Sequence, residues 1–231
     1  MRVRVATTAL GITAALLAVP ACTSGAAGTK PDTTASFPAG EPVRSDRNAA
    51  PLSSAILETR LLDESDLGSG YARKPERPSQ HDDVTVIGCR ALNELGGEAA
   101  TGGTLAFPRK AKVTFTYGDS ASEISEELYS GSADKLSDGI GRIFDAMTGC
   151  PSYQVVAGGT PIDIVSQKLT APHGLGDERW SQLLTFSVGG RSTVVKQTAI
   201  RDGGLLVIVS GSPALVDRHL GKALAKATAT S

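Results

Sequence analysis

A series of strand-like segments separated by short glycine turns constrains the fold of this 231-residue chain more than any other feature. The turns are Gly-Gly at 158–159 and at 189–190, and Asp-Gly-Gly at 202–204. Glycine connections of this kind between alternating segments are typical of β-hairpins, in which neighbouring strands run antiparallel. The pattern predicts successive strands at 153–156, 161–170, 178–189, 191–202 and 204–211.

The segments that precede this series mix helical and extended patterns. From the spacing of apolar residues, helices are predicted at 57–67, 89–97, 132–150 and 212–229. Strands are predicted at 82–88 and 110–118. Segment 122–131 fits both spacings, and the turn residues before it favour a strand. Together the elements predict an α+β domain: a twisted antiparallel β-sheet with helices packed mainly on one face.

The N-terminus has the pattern of a secretory signal peptide. Two arginines, Arg2 and Arg4, precede an apolar run from Val5 to Ala21 that ends in small residues. The alternative is a membrane-spanning helix, which needs about 20 predominantly apolar residues. This run is shorter and is interrupted by threonine and glycine, so a signal peptide over residues 1–21 is favoured.

The four residues Val19-Pro20-Ala21-Cys22 resemble the lipobox of bacterial lipoproteins. Proline is less usual at its position than alanine or serine. The resemblance implies that the Cys22 thiol carries a diacylglycerol and that the leader is cleaved just before it. The alternative is an ordinary signal peptide with a chance cysteine. Two buried acyl chains would anchor the protein stably on the outer face of the cell membrane.

A polar segment separates Cys22 from the folded part of the chain. Residues 22–51 are rich in Thr, Ser, Ala, Gly and Pro and contain few large apolar side chains. A segment of this composition buries too little apolar surface to offset its conformational entropy. We therefore expect a tether over 22–51 and a single domain over 52–231, which is large enough to form its own core.

The charge of the mature chain limits its partners. Loss of the leader reduces the 23 basic residues by two against 24 acidic ones, so the mature protein is net acidic. A polybasic surface is therefore not expected, and neither nucleic acid nor an electrostatic membrane contact is a predicted partner. The predicted partners are the membrane, through the lipid anchor, and either an unidentified small molecule or a cell-envelope protein. The high Ala and Gly content suits an actinobacterium.

The two remaining cysteines are Cys89 and Cys150. Outside the cytoplasm paired thiols oxidise, so a Cys89–Cys150 disulfide is predicted. The alternatives are redox or zinc chemistry, which lacks the C-x-x-C spacing here, and a free nucleophile, which lacks a histidine nearby in sequence.

Four stretches of the chain together carry a resemblance to a known family. They are "LLDESDLGSGY" at 61–71, the helix end "RIFDAMTGCPSY" at 142–153, "GLGDERW" at 174–180 and the final three-strand meander. In this order they resemble the PknH-like extracellular sensor domain. That family occurs on actinobacterial receptor kinases and in lipoproteins. The resemblance covers about 52–231 and implies a twisted antiparallel sheet with a cleft to which ligand binding is attributed. Kinase members carry two disulfides, whereas this chain can form one.

The candidate ligand-binding residues lie in "HGLGDERW". His173, Asp177, Arg179 and Trp180 combine an imidazole, a carboxylate, a guanidinium and the only tryptophan of the chain. A hairpin loop could present them to a ligand. The alternative is structural: Gly174 and its neighbours make a turn, Asp177 caps it and Trp180 packs on the sheet.

The other histidines offer weaker candidates. His81 precedes Asp82 and Asp83 and could ligate a metal, although a polar loop before a strand explains the same residues. His219 lies on the apolar side of the closing helix. No H-E-x-x-H or G-x-S-x-G motif occurs, and no cofactor, metal or catalytic residue is predicted.

These observations favour a non-enzymatic binding domain over the alternative, a cell-envelope enzyme of the hydrolase class. The binding groove is expected where the sheet meets the helix at 132–150, because Gly139 and Gly141 allow a ligand to approach the backbone. Tight packing of that helix on the sheet would explain the same glycines.

Overall fold

The computed structural model of the chain describes residues 50–75, 84–96, 107–118 and 122–229. The predicted signal peptide, Cys22, nearly all of the predicted tether and His81–Asp83 lie outside the described residues. All described residues belong to one unit, Val43–Ser231. Within the described ranges, no helix is long and apolar enough to cross a membrane.

The described strands form one antiparallel sheet in the order β1-β3-β4-β9-β8-β7-β6-β5-β2. The strands are β1 (Tyr71–Arg73), β2 (Thr85–Ile87), β3 (Lys110–Tyr117), β4 (Glu123–Ser130), β5 (Ser152–Ala157), β6 (Thr160–Lys168), β7 (Glu178–Val188), β8 (Arg191–Asp202) and β9 (Leu205–Gly211). The hairpin series is confirmed, since β5 to β9 pair consecutively. The ambiguous segment at 122–131 is a strand, and β1 is an additional one that the sequence pattern did not predict.

Helices occur before, within and after the strand series. The described helices are α1 (Ser54–Arg60), α2 (Glu64–Leu67), α3 (Arg90–Leu95), α4 (Ala133–Gly149) and α5 (Pro213–Thr228). The prediction of a single helix at 57–67 is wrong, because the chain is extended at Leu61 and a second helix begins after Asp63. The Asp63 side chain accepts from the N–H groups of Ser65 and Asp66 in a capping box, which begins a new helix there.

The helices cover both faces of the sheet, so the expectation of one mainly covered face is corrected. Val207 and Val209 of β9 belong to the same core cluster as α1 and α5. The intervening Leu206 and Ile208 pack with α4. Neighbouring residues of a strand point to opposite faces, so α4 and α5 lie on opposite sides. The physical reason is the unbroken apolar run of β9, buried from Leu205 to Val209, which requires cover on both sides.

The predicted disulfide is present in the structure. Cys89 lies at the start of α3 and Cys150 at the end of α4, with their Cα atoms 5.7 Å apart. The bond joins two helices that cover the same part of the sheet, where Leu92 and Met147 are fully buried. It therefore fixes the short α3 against the longer α4.

Candidate functional site

An open cavity of about 600 Å³ lies between the C-terminal half of α4 and the part of the sheet where β6 leads into β7. Its walls are formed by α4, the end of β6, the segment that follows β6, and the beginning of β7. Its lining residues are Phe144, Asp145, Thr148, Lys168, Leu169, Thr170, Ala171, Arg179, Trp180 and Ser181.

Aromatic side chains form one part of the lining. Trp180 pairs across the sheet with Ala199, which in turn pairs with Ile208, and these three share a core cluster with α4. The ring centres of Trp180 and Phe144 are 6.4 Å apart. Trp180 is half-buried, so its indole supports the helix and also reaches the cavity. An exposed indole edge of this kind offers a large apolar contact and one N–H donor to a ligand.

The turn that leads into β7 separates two other predicted site residues, His173 and Arg179, from each other. Arg179 lines the cavity, and its Nη1 donates to the Leu175 carbonyl oxygen at 3.1 Å. His173 is exposed and is not among the lining residues. Gly176 has φ +55°, and a Cβ there would lie 2.6 Å from the Arg201 carbonyl oxygen, so the turn requires glycine at this position.

Asp177 is engaged in a polar cluster outside the cavity lining. Its Oδ2 accepts from Arg201 Nη1 at 2.9 Å and from the Gly203 N–H at 3.0 Å. Glu178 accepts from Arg201 Nε at 2.7 Å, and this bond is the main reason that the Glu178 pKa is lowered. Asp177 thus connects the turn before β7 to the turn between β8 and β9.

The structure also shows what surrounds the two glycines of α4. A Cβ at Gly139 would lie 2.5 Å from the Phe107 ring, so the space beside this glycine is filled by a side chain of the protein. Among the described residues, and apart from the backbone of the helix itself and the adjacent residues, no atom lies within 4 Å of a Cβ at Gly141. The cavity lies further along the same helix, beginning at Phe144. A cavity thus lies beside the predicted helix, but the two glycines do not line it.

Two charged residues of the cavity were missed by the sequence analysis. Asp145 follows Phe144 on α4, and Lys168 is the last residue of β6. Both are exposed. No signal in the sequence distinguishes them from other surface charges, because only the packing of α4 on the sheet brings them to one cavity.

A buried carboxyl group was also missed. Glu126 of β4 is only 1% exposed and lies under α5 and the segment between α1 and α2. Its Oε2 accepts from the Leu62 N–H at 2.6 Å, and its Oε1 has no hydrogen-bond partner among the described residues. Burial raises the pKa of Glu126 to about 7, against attraction from Lys226.

His219 lies on the buried side of α5, where the helical pattern placed it. Its Nε2 is 2.6 Å from the Tyr71 hydroxyl oxygen, and burial lowers the pKa of the imidazole. The described residues contain no group of three His, Cys, Asp or Glu side chains that could hold a metal ion.

Comparison with known proteins identifies the fold. No protein-family model and no curated protein sequence matches the chain. Among solved structures, the chain is similar to the extracellular domain of PknH from Mycobacterium tuberculosis, with a TM-score of 0.57 and 15% identity. The match covers 77% of this chain and 97% of that one. A second similar structure, an Rv0999 ortholog from Mycobacterium smegmatis, has a TM-score of 0.40, 11% identity and coverage of 76% and 95%. The chain therefore has a PknH-like fold.

Proposed function

We propose that this protein is a lipid-anchored, extracytoplasmic domain that binds a small ligand in the cavity beside Trp180 and does not catalyse a reaction. The observation that carries the proposal is the cavity itself, where an aromatic surface and charged side chains of both signs meet on a PknH-like fold. Concave sites with an apolar lining and a few polar groups are the usual form of small-molecule sites.

The proposed location rests on the N-terminal sequence. The leader and the lipobox resemblance at Val19–Cys22 support export and attachment to the outer face of the cell membrane. The Cys89–Cys150 disulfide is consistent with an oxidising compartment. The tether at 22–51 would hold the domain away from the membrane surface.

The charged groups near the cavity support binding rather than catalysis. Asp177 and Glu178 both bond to Arg201, and Arg179 bonds to a backbone carbonyl. None of these contacts places a nucleophile beside a base, which a hydrolase of the common types requires. A cell-envelope enzyme is the competing outcome of the experiment below.

The single tryptophan makes the proposal testable by fluorescence. The mature chain carrying Cys22→Ala should be titrated with pools of envelope lipids, peptides and metabolites. A ligand of the cavity should change the Trp180 emission saturably and raise the melting temperature, with about 2.7 kcal/mol of added stability at a hundred times its dissociation constant.

The matched variants are Ala171→Trp, which would fill the cavity lining, and His173→Ala, which changes an exposed residue outside that lining. Ala171→Trp adds a second indole, so its binding is measured by the melting temperature alone. It should abolish the rise in melting temperature, whereas His173→Ala should retain it. If no pool changes the emission or the melting temperature, the binding proposal is wrong. Turnover of a compound would identify an enzyme instead.

A further inference from the structure

Two residues of opposite charge line the cavity from different elements. Asp145 belongs to α4, and Lys168 ends β6. In the part of the chain that the structure describes, no ion pair joins them. Each charge is therefore available to a molecule placed between them. A ligand that contacts both charges can gain from two ion pairs, each of modest strength because the two side chains are exposed.

The other polar side chains of the lining differ in what they can offer a ligand. The Thr148 hydroxyl donates to the Phe144 carbonyl oxygen at 2.7 Å. The Ser181 hydroxyl is 3.0 Å from that of Thr198, within the sheet. Arg179 Nη1 donates to the Leu175 carbonyl oxygen, which is a neutral group, so the guanidinium keeps its positive charge. Lys168 and Arg179 thus supply the positive charge of the cavity, and Asp145 supplies the negative charge.

The surface near these two charges is apolar. Trp180 and Phe144 contribute aromatic rings, and Leu169 and Ala171 contribute aliphatic side chains. A complementary ligand carries an anionic group for Lys168, a cationic group for Asp145 and an apolar body between them. A purely anionic amphiphile could pair with Lys168 but would leave Asp145 without a cationic partner.

We infer that the ligand is a zwitterion with an apolar body, and specifically a short peptide with a free amino terminus and a free carboxyl terminus. In this arrangement the peptide carboxylate contacts the Lys168 ammonium, the peptide ammonium contacts the Asp145 carboxylate, and apolar side chains lie on Trp180. The inference rests on the proposed binding function of the same cavity and adds the chemical class of the ligand.

The experiment compares three pools of random tripeptides without tryptophan on the mature Cys22→Ala chain: free at both ends, N-acetylated, and C-amidated. Binding is followed by the emission of Trp180, the only tryptophan of the chain. The free pool should bind in a saturable manner, and blocking either end should weaken binding about fivefold, which corresponds to about 1 kcal/mol per contact.

Charge-removing variants assign each end of the peptide to its partner. With Asp145→Asn, the acetylated pool should bind as well as the free pool, while amidation still weakens binding. With Lys168→Met, the amidated pool should bind as well as the free pool, while acetylation still weakens binding. Asp138→Asn and Lys135→Met, at exposed positions of α4 outside the cavity lining, are the matched controls and should behave like the parent.

The outcomes separate this inference from the proposed function. If a fatty acid changes the Trp180 emission and the peptide pools do not, the cavity binds a ligand but the zwitterion assignment is wrong. The assignment is equally wrong if blocking the peptide ends has no effect or if the two variants do not differ from their controls. If neither peptides nor any other pool acts on Trp180, the binding function itself is overturned.

Discussion

Glu126 is a carboxyl group in an environment that disfavours its charged form. A carboxylate transferred from water to a protein interior loses solvation, and one hydrogen bond from Leu62 replaces only part of it. The charged groups that act on it are Lys226 and Asp66. Lys226 is itself bonded to Asp63 at 2.7 Å and to Asp66, so its attraction for Glu126 is shared. The proton is therefore retained by Glu126 to a higher pH than usual.

This raised pKa predicts how stability depends on pH. The pKa of Glu126 is about 7 in the folded protein, against an ordinary value of 4.5. Between these values the folded state binds more protons than the unfolded state, so stability falls as pH rises through this range. The contribution is fully present below pH 4.5 and is lost above pH 7, with a difference of about 3 kcal/mol at most.

Glu126→Gln should remove this pH dependence. The amide oxygen can still accept from Leu62, and the side chain no longer ionises, so the variant should be more stable than the parent at pH 8. Urea denaturation at intervals from pH 4.5 to 8 measures the effect. Glu94→Gln, which changes an exposed side chain paired with Arg90, is the control. A decline with pH as steep in Glu126→Gln as in the parent would show that Glu126 is not its source.

At the scale of elements, α3 depends most on a covalent contact. It has only six residues, and Leu92 is its one fully buried side chain. Helices this short are not stable by themselves, so packing and the Cys89–Cys150 bond hold α3 in place. By contrast α5 buries seven side chains against the sheet and needs no such support.

Removal of the disulfide should therefore act locally as well as globally. The double variant Cys89→Ala/Cys150→Ala should lose about 4 kcal/mol of unfolding free energy if the chain-entropy account applies. Hydrogen exchange should increase in α3 and at the end of α4 more than in α5.

For the parent protein, reduction should increase the intact mass by about two daltons, as one disulfide requires. Labelling of both thiols without a reductant would contradict the bond.

At the scale of the whole molecule, the sequence predicted those features that depend on local pattern. Glycine turns and alternation identified the strand series, because a hairpin is formed by residues close in sequence. The second helix, which begins after Asp63, was not predicted as a separate element, since the apolar spacing continues through the capping box without a break. The unbroken apolar run of β9, "LLVIV" in the sequence, explains why helices cover both faces of the sheet, because such a strand has apolar side chains on both sides.

The candidate site was predictable only in part for a related reason. Trp180 and Arg179 stood out because they are chemically distinctive and lie in one short motif. Lys168 and Asp145 are common surface residues, and only tertiary packing places them at one cavity. Asp177 looked like a ligand-binding residue but bonds to Arg201, which is distant in sequence and could not be identified as its partner beforehand.

The last prediction concerns how the whole protein is held in the cell. If Cys22 carries the lipid, Cys22→Ala should move the protein from the membrane fraction to the medium or leave an uncleaved precursor, because the two acyl chains supply the anchoring free energy. Cys89→Ala/Cys150→Ala is the matched control: it also replaces cysteines, yet it leaves Cys22 in place and should fractionate with the membrane as the parent does. Fractionation followed by mass spectrometry of the N-terminal peptide measures both location and lipid. A mature, detergent-soluble Cys22→Ala protein that stays with the membrane would show that Cys22 is not the anchor.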